Sequence, residues 1–179
     1  TFSRRAFLGA SLLAGSMLAL PSLARADAQP ASRRLRLYNT HTGELLDVTY
    51  FEQGVYHDDA LHEIDHILRD HRANKTAPMA RGVIDLVHDI AQTMEAQRPV
   101  HIISGYRSPE TNALLRKTGG GGVAKHSLHM DGIAIDIRLP GRELKHVRDA
   151  AWAMQRGGVG FYPSQQFVHV DTGRVRRWG

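Results

Sequence analysis

Histidine is frequent in this chain and cysteine is absent, which directs the search for chemistry toward imidazole and carboxylate groups. The 179 residues include 11 histidines and 0 cysteines. Without a thiol, the chain excludes a disulfide framework, a thiolate nucleophile and a cysteine-based zinc finger. Imidazole and carboxylate ligands remain, and together they suit a divalent ion such as zinc.

One candidate metal site matches the H-E-x-x-H pattern on a predicted helix, with His62 and His66 as ligands and Glu63 as the general base. The third ligand is missing from the place that the longer pattern requires, and Arg69 stands where that pattern needs a glycine. An apolar stripe with both histidines, Asp65 and Arg69 on its wet side explains this helix without a metal. We therefore favour a solvated helix face over a zincin site.

A second candidate joins two segments in the C-terminal half. His129 and Asp136 lie in S-L-H-M-D-G-I-A-I-D, and His169 follows 33 residues after Asp136 in F-V-H-V-D. Three protein ligands with one open position are typical of a catalytic zinc site. Asp136 and His169 fall in alternating strands that can aim both groups into one cleft, and Gly132 permits a tight turn between the first two ligands. A histidine in an apolar strand is also compatible with a core residue, so spacing alone leaves both interpretations open.

The elements that must position these groups follow from hydrophobic periodicity. Two alternating runs around a glycine-containing turn at 40–44 predict a β-hairpin. Predicted helices cover 58–72, 79–95, a short stretch capped by Ser108, and 141–155. Predicted strands cover 99–103, 132–138, 159–162 and 167–171. Helices come early and short strands late, which indicates an α+β fold rather than an alternating parallel sheet.

The N-terminus has the layout of an export signal. Arg4 and Arg5 precede an apolar stretch, and small residues then lead to a cleavage site after Ala26. The paired arginines are typical of the twin-arginine type. The apolar run is about 13 residues, shorter than the ~20 that a membrane-spanning helix needs, so we expect no stable membrane span after cleavage.

Cleavage would leave a single domain with a modest charge. We expect a signal over 1–26, a linker over 27–32 and one domain over 33–179, in which the four glycines at 119–122 form a linker rather than a phosphate loop. The signal contains three arginines and no acidic residue, so its removal lowers the net charge from +5 to +2. Such a balance, with no clustered basic face, excludes nucleic acid as a main partner.

Three motifs of the C-terminal half occur together in a known group of enzymes. They are S-G-Y-R-S at 104–108, S-x-H-x-x-G-x-A-x-D at 127–136 and H-x-D at 169–171. In these motifs the chain resembles the zinc D-alanyl-D-alanine metallopeptidase superfamily, which includes murein carboxypeptidases, phage endolysins and the hedgehog-like fold. It resembles in particular the YcbK-like murein endopeptidases, which also carry a twin-arginine-like leader. In that branch the segment matching 60–72 is structural, which further weakens the H-E-x-x-H interpretation.

The resemblance implies a small antiparallel sheet that carries a zinc cleft and is flanked by helices. It implies Zn²⁺ held by His129, Asp136 and His169, with the fourth position left for the water that attacks an amide carbonyl. Arg107 matches the family arginine that faces the site, where it would hold the developing oxyanion or a substrate carboxylate. Ser127 would form a hydrogen bond within the loop that fixes His129.

The general base does not stand where relatives place it. Gln166 and Phe167 occupy the positions at which relatives carry an acidic residue or a histidine. Asp171 is our first candidate, because it shares a strand face with His169, and His126 is the second. Asp171 is equally suited to orienting a metal ligand.

These expectations combine into a zinc-dependent murein endopeptidase of the periplasm or cell envelope. Its partners would be peptidoglycan stem peptides, and it would act as a monomer. A D,D- or L,D-carboxypeptidase that trims a terminal residue is one alternative. A non-catalytic zinc-bearing module that binds peptidoglycan is another, and a zincin that uses the His62 helix is a third.

Overall fold

The computed structural model describes residues 32–118 and 123–179. The expected export signal lies outside these ranges, and so do the four-glycine loop and all of the expected linker except Ser32. Ser32 is already the first residue of a strand.

The described residues form eight strands and four helices. The strands are β1 (Ser32–Asn39), β2 (Leu45–Glu52), β3 (Val55–Tyr56), β4 (Val100–Ser104), β5 (Ala134–Arg138), β6 (Gly158–Tyr162), β7 (Phe167–Asp171) and β8 (Arg176–Trp178). The helices are α1 (Asp58–Ile67), α2 (Arg81–Thr93), α3 (Pro109–Thr118) and α4 (Leu144–Ala153). Across 32–118 and 123–179, none of the helices has the length and apolarity needed to cross a membrane.

All eight strands of the described ranges belong to one sheet, in the order β3-β2-β1-β4-β5-β7-β6-β8. Strand β1 pairs in parallel with β4, and β6 pairs in parallel with β8. The other neighbouring strands pair antiparallel, including the predicted β1–β2 hairpin. The mixed α and β composition agrees with the expected α+β class.

The expectation of a small antiparallel sheet needs correction, because the sheet is larger and mixed. The chain leaves β1 through the hairpin and then passes through α1 and α2 before it returns as β4, and such a long crossover can return a strand in the parallel direction. The sequence did not predict strands β3 and β8, because they are only two and three residues long. Neither offers an alternating run that a pattern could detect.

One face of the sheet packs against α1, α2 and α4, and this layer holds the hydrophobic core. Alternate residues of the central strands are buried in it, namely Leu35, Leu37, Val100, Ile102, Ile135, Ile137, Val168 and Val170. Successive side chains of a strand point to opposite faces. The intervening residues Asp136 and His169 are therefore presented on the other face of the sheet.

Helix α1 ends at Ile67, earlier than the predicted end near Arg72. The reason is the buried carboxylate of Asp70, whose Oδ1 accepts the backbone N–H groups of Arg72 and Ala73 at 3.0 and 3.2 Å. A short polar side chain that binds the backbone two and three residues ahead stabilises a turn instead of a helix. The other oxygen, Oδ2, accepts the N–H of Ser108 at 2.9 Å, so this turn is tied to the start of α3.

Replacing Asp70 by asparagine is expected to lower the free energy of unfolding by about 2 kcal/mol at pH 7, because charge-assisted hydrogen bonds are lost. Burial raises the pKa of Asp70, but its hydrogen bonds outweigh burial and bring the pKa down to about 2. The pKa in the unfolded chain is the ordinary one, near 3.8. The stabilisation is therefore complete above this value and is lost as the pH falls through about 2.

Urea unfolding of the wild type and Asp70→Asn across the acidic range measures this difference. A matched control is Asp47→Asn, because Asp47 pairs with Arg34 on the surface of β2, where such pairs contribute below about 1 kcal/mol. A loss at neutral pH no larger than that of the control would contradict the role given to Asp70.

Candidate metal centre

The structure brings His129, Asp136 and His169 together on the sheet face opposite the helices. Asp136 and His169 are direct cross-strand partners in β5 and β7. His129 comes from the turn before β5. The ligand atoms of the three side chains all lie within 4.8 Å of one another. Within 32–118 and 123–179, this is the one group of three or more histidine and acidic side chains placed closely enough to hold a metal ion.

The outer nitrogen of each imidazole has a fixed acceptor. Nδ1 of His129 donates to the carbonyl oxygen of Gly105 at 2.7 Å, and Nε2 of His169 donates to Oδ2 of Asp171 at 3.0 Å. A carbonyl and a carboxylate only accept hydrogen bonds, so these outer nitrogens carry the protons. Nε2 of His129 and Nδ1 of His169 consequently face the centre, where each would offer its lone pair to a metal ion once no proton occupies it.

The distances among the three inner atoms fit a tetrahedral ion. Nε2 of His129 lies 3.2 Å from Nδ1 of His169 and 3.3 Å from Oδ1 of Asp136, and Nδ1 of His169 lies 2.9 Å from the same oxygen. Ligands about 2.0–2.1 Å from a tetrahedral zinc ion are separated by about 3.3–3.4 Å. Three potential ligand atoms that converge in this way need positive charge among them, which a proton on Nδ1 of His169, shared with Asp136, supplies without a metal and which a divalent ion would supply in its place. The donor set therefore fits a divalent metal ion.

At the centre, burial and the neighbouring charged groups shift the pKa values of the ligands in opposite directions. His129, Asp136 and His169 are 2%, 5% and 9% exposed. Burial raises the pKa of Asp136, but the two imidazoles outweigh it and hold the pKa well below its usual range. Burial lowers the pKa of His169, but its hydrogen bonds to Asp136 and Asp171 outweigh burial and raise the pKa to about 9. The cluster therefore attracts positive charge.

Asp171 lies behind His169, on the side away from the inner nitrogen. Its side chain is fully buried, and its Oδ1 accepts the backbone N–H groups of Gly158 and Gly173 at 2.9 and 2.8 Å. Arg176 contacts both carboxylate oxygens, and Oδ2 also accepts Nε2 of His169. Both oxygens are thus engaged, which favours the orienting role over the role of a base.

His126 lies on the wall of the cleft, and its side chain is 68% exposed. Its Nε2 lies 2.9 and 3.0 Å from the two carboxylate oxygens of Asp131. The neighbouring Ser127 is buried, and its carbonyl oxygen accepts the N–H of Met130 at 2.8 Å, which closes the turn that carries His129. This loop contact is made by the backbone of Ser127.

Arg107 stands beside the cluster, as the sequence motif suggested. Its N–H donates to the carbonyl oxygen of His129 at 3.2 Å, and its Nη2 lies 3.9 Å from Oδ2 of Asp136. The side chain is only 14% exposed. Burial lowers the pKa of this guanidinium and Asp136 opposes the change.

Gly132 makes the turn between His129 and β5. It adopts a φ of +67°, and its carbonyl oxygen accepts the N–H of Ala80 at 2.9 Å. A side chain at this position would overlap the backbone carbonyl of Pro78. The turn predicted from the sequence is present, and it is also the contact between the ligand loop and the start of α2.

The centre opens into a cleft of about 740 Å³, and one wall of this cleft, next to His169, is aromatic. The Trp178 ring centroid lies 5.3 Å from that of His169, and Nε1 of Trp178 donates to the hydroxyl of Tyr162 at 2.8 Å. Tyr162 in turn stacks on Phe167 with centroids 4.5 Å apart. Gly160 leaves the space that the indole fills, since a Cβ atom there would lie 2.6 Å from the Trp178 ring. Sequence reasoning missed this wall because only the pairing of β8 with β6 brings Trp178 opposite Gly160.

Helix α1 carries the H-E-x-x-H pattern away from this centre. His62, Glu63 and His66 are exposed, and His66 pairs loosely with a glutamate of the β1–β2 turn. The expected wet face needs correction at two residues. Asp65 is only 7% exposed and accepts the N–H of Met79 at 2.8 Å. Burial raises the pKa of Asp65. Arg69 is likewise largely covered, with a side chain 12% exposed.

The donor set of the centre is that of a metal-dependent hydrolase, and comparison with known proteins shows a metallopeptidase. The family model described as Peptidoglycan L,D-endopeptidase MepK, of the M15 peptidases, matches residues 27–178. Peptidoglycan L,D-endopeptidase MepK of Escherichia coli strain K12 is 40% identical over 171 residues, which cover 96% of this chain and 93% of the relative. The probable peptidoglycan L,D-endopeptidase MepK of Haemophilus influenzae is 37% identical over 172 residues, which cover 96% and 89%. No solved structure matches the chain significantly.

The chain belongs to the MepK family of M15 peptidases. The family resemblance inferred from the three motifs is confirmed, and so is the expectation of a murein endopeptidase. The metal dependence of M15 peptidases agrees with the His-Asp-His group.

Substitution of His129 is expected to abolish metal binding. Elemental analysis after dialysis should find about one zinc ion per wild-type chain and close to none in His129→Ala. The matched control is His62→Ala, which removes an exposed histidine of α1 and should keep the full metal content. The reverse pattern, with metal lost only from the α1 variant, would contradict the assignment of the centre.

Proposed function

We propose that the chain is a zinc-dependent murein endopeptidase of the cell envelope that cleaves the L,D amide bonds for which its relatives are named. The observation that carries this proposal is the convergence of three ligand atoms from His129, Asp136 and His169 at the base of an open cleft, in a chain of the MepK family. Its substrates are the cross-linked stem peptides of peptidoglycan.

Zinc, when bound by the three residues, polarises a carbonyl oxygen and lowers the pKa of water to about 7. The protein contributes the orientation of the ligands. Gly105 and Asp171 each hold the outer nitrogen of one imidazole, which fixes the ring and leaves the inner nitrogen as the ligand atom. Ser127 supports this arrangement through the turn that carries His129.

Arg107 is proposed to stabilise the charge that develops on the substrate carbonyl oxygen. Its guanidinium is held beside Asp136 and is largely removed from water, so its interaction with a new negative charge is only weakly screened. It does not need to move far, because its backbone is tied to that of His129.

His126 is proposed as the group that exchanges protons with the substrate. If Nε2 donates to Asp131, then Nδ1 is the nitrogen with a free lone pair on the wall of the cleft. Asp171 is proposed as a positioning residue, because its two oxygens are occupied by His169, Arg176 and two backbone groups. This assignment reverses the order of the two candidates drawn from the sequence.

A second candidate function is a non-catalytic, zinc-bearing module that binds peptidoglycan, and one observation favours it. Gln166, at the position where relatives carry an acidic residue, has a φ of +59° and folds its side chain back onto the carbonyl oxygen of Pro163 at 2.6 Å. It offers no base to the cleft. A zinc-bearing module that binds peptidoglycan without cutting it would not need one.

Digestion of purified cross-linked muropeptides tests the proposal. The wild type is expected to convert dimers into two stem-peptide fragments, separable by liquid chromatography and identifiable by mass. A chelator should stop the reaction and added zinc should restore it, while His129→Ala stays inactive and His62→Ala stays active. Products shortened by one terminal residue would indicate a carboxypeptidase, and binding without any cleavage would indicate the module.

Replacement of Asp171 by asparagine is expected to weaken zinc binding about 10- to 100-fold, because the amide cannot hold Nε2 of His169 as a carboxylate does. Competition with a chelator of known affinity measures the change. Asp47→Asn, far from the cleft on β2, is the matched control and should bind zinc like the wild type. A variant with reduced thermal stability but unchanged zinc affinity would assign Asp171 a purely structural role.

A further inference from the structure

The cleft contains three arginines that differ in how they are paired. Arg176 contacts both oxygens of Asp171, and Arg107 lies 3.9 Å from Asp136. The third, Arg72, lines the same cleft and is exposed. Within 32–118 and 123–179, its guanidinium makes no hydrogen bond or ion pair, although its backbone N–H is bound by Asp70.

One buried carboxylate fixes the backbone around two of these arginines. Asp70 is 2% exposed and binds the N–H of Arg72 through Oδ1 and the N–H of Ser108, which follows Arg107, through Oδ2. Two loops distant in sequence are thereby held side by side. The backbone of Arg72 is therefore held at the cleft by a buried group, and its exposed side chain extends from a fixed point.

The electrostatic balance at this end of the cleft is positive. Among the described residues that line the cleft, Asp136 is the one acidic side chain, and it belongs to the metal cluster. Burial lowers the pKa of Arg107, Asp136 opposes this, and the charge of Arg72 lowers it further. The two guanidinium groups thus act on each other, and the carboxylate of Asp70 offsets part of their charge, although it is buried, bound to backbone N–H groups and does not line the cleft.

We propose that Arg72 is a specificity-determining residue that binds a free carboxylate of the substrate next to the scissile amide. The planar guanidinium offers paired N–H donors that match a carboxylate, and the cleft supplies no competing acidic partner for them. This inference rests on the proposed function, because it assigns the ligand to a stem peptide. It adds a second cation, on a different loop, to the arginine that the family motif contains.

The contact is expected to affect binding more than turnover. The carboxylate does not change charge during hydrolysis of the neighbouring amide, so Arg72 holds the substrate and the transition state equally. Its removal should therefore raise KM and leave kcat nearly unchanged. Arg107, which faces the reacting carbonyl oxygen in the proposed mechanism, should instead affect kcat.

Two synthetic muropeptide dimers test the inference, identical except that the free carboxylate next to the scissile bond is a carboxamide in one of them. The wild type should show a KM about tenfold lower for the carboxylate form. In Arg72→Gln the KM for the carboxylate form should rise to that for the carboxamide, with kcat within about twofold of the wild type. Arg98→Gln is the matched control, because Arg98 is exposed on a groove lined by α2 and β1, away from the cleft.

Calorimetric binding separates failure of this inference from failure of the proposed function. The same two peptides, N-methylated at the scissile amide to prevent cleavage, are titrated into the zinc-loaded wild type and Arg72→Gln. A carboxylate preference that is present in the wild type and lost in the variant supports the role of Arg72 even when no dimer is cleaved. Cleavage of both dimers with the same preference in wild type and Arg72→Gln overturns the role of Arg72 and leaves the endopeptidase intact.

Discussion

Three ligand atoms that must share one small space are the constraint on which this molecule depends. The inner nitrogens of His129 and His169 and an oxygen of Asp136 lie 2.9–3.3 Å apart, a spacing that needs a proton or a metal ion among them. The rings keep this arrangement, because Gly105 and Asp171 hold the outer nitrogens. The protein thus keeps ready a cluster of ligand atoms whose charge a bound divalent ion would balance.

The pleat of the sheet separates this polar site from the hydrophobic core, because alternate side chains of a strand face opposite sides of the sheet. In β5, Ile135 and Ile137 face the helices, and Asp136 between them faces the cleft. In β7, Val168 and Val170 flank His169 in the same way, and the register places His169 opposite Asp136. Polar ligands and apolar packing are therefore supplied by the same short strands, and a shift of the register by one residue would bury the ligands and expose the valines.

The cleft is assembled from parts that are far apart along the chain. Asp70 draws the loop of Arg72 to the start of α3, so two arginines reach one end of the cleft. The pairing of β8 with β6 lays Trp178 over Gly160 and beside the metal ligand His169. Arginines and aromatic rings beside one metal centre suit a peptide substrate that carries free carboxylates.

The sequence alone predicted the α+β class, the main helices and strands and the family, because periodicity and short motifs are local. It also selected His129, Asp136 and His169 over the H-E-x-x-H helix, through their spacing and the family motif. The mixed sheet, the early end of α1, the burial of Asp65 and the contacts of Asp171 were decided by the tertiary structure. Each depends on a partner distant in sequence, such as Ser108 for Asp70 or Met79 for Asp65, and no local pattern encodes which distant backbone group a carboxylate will bind.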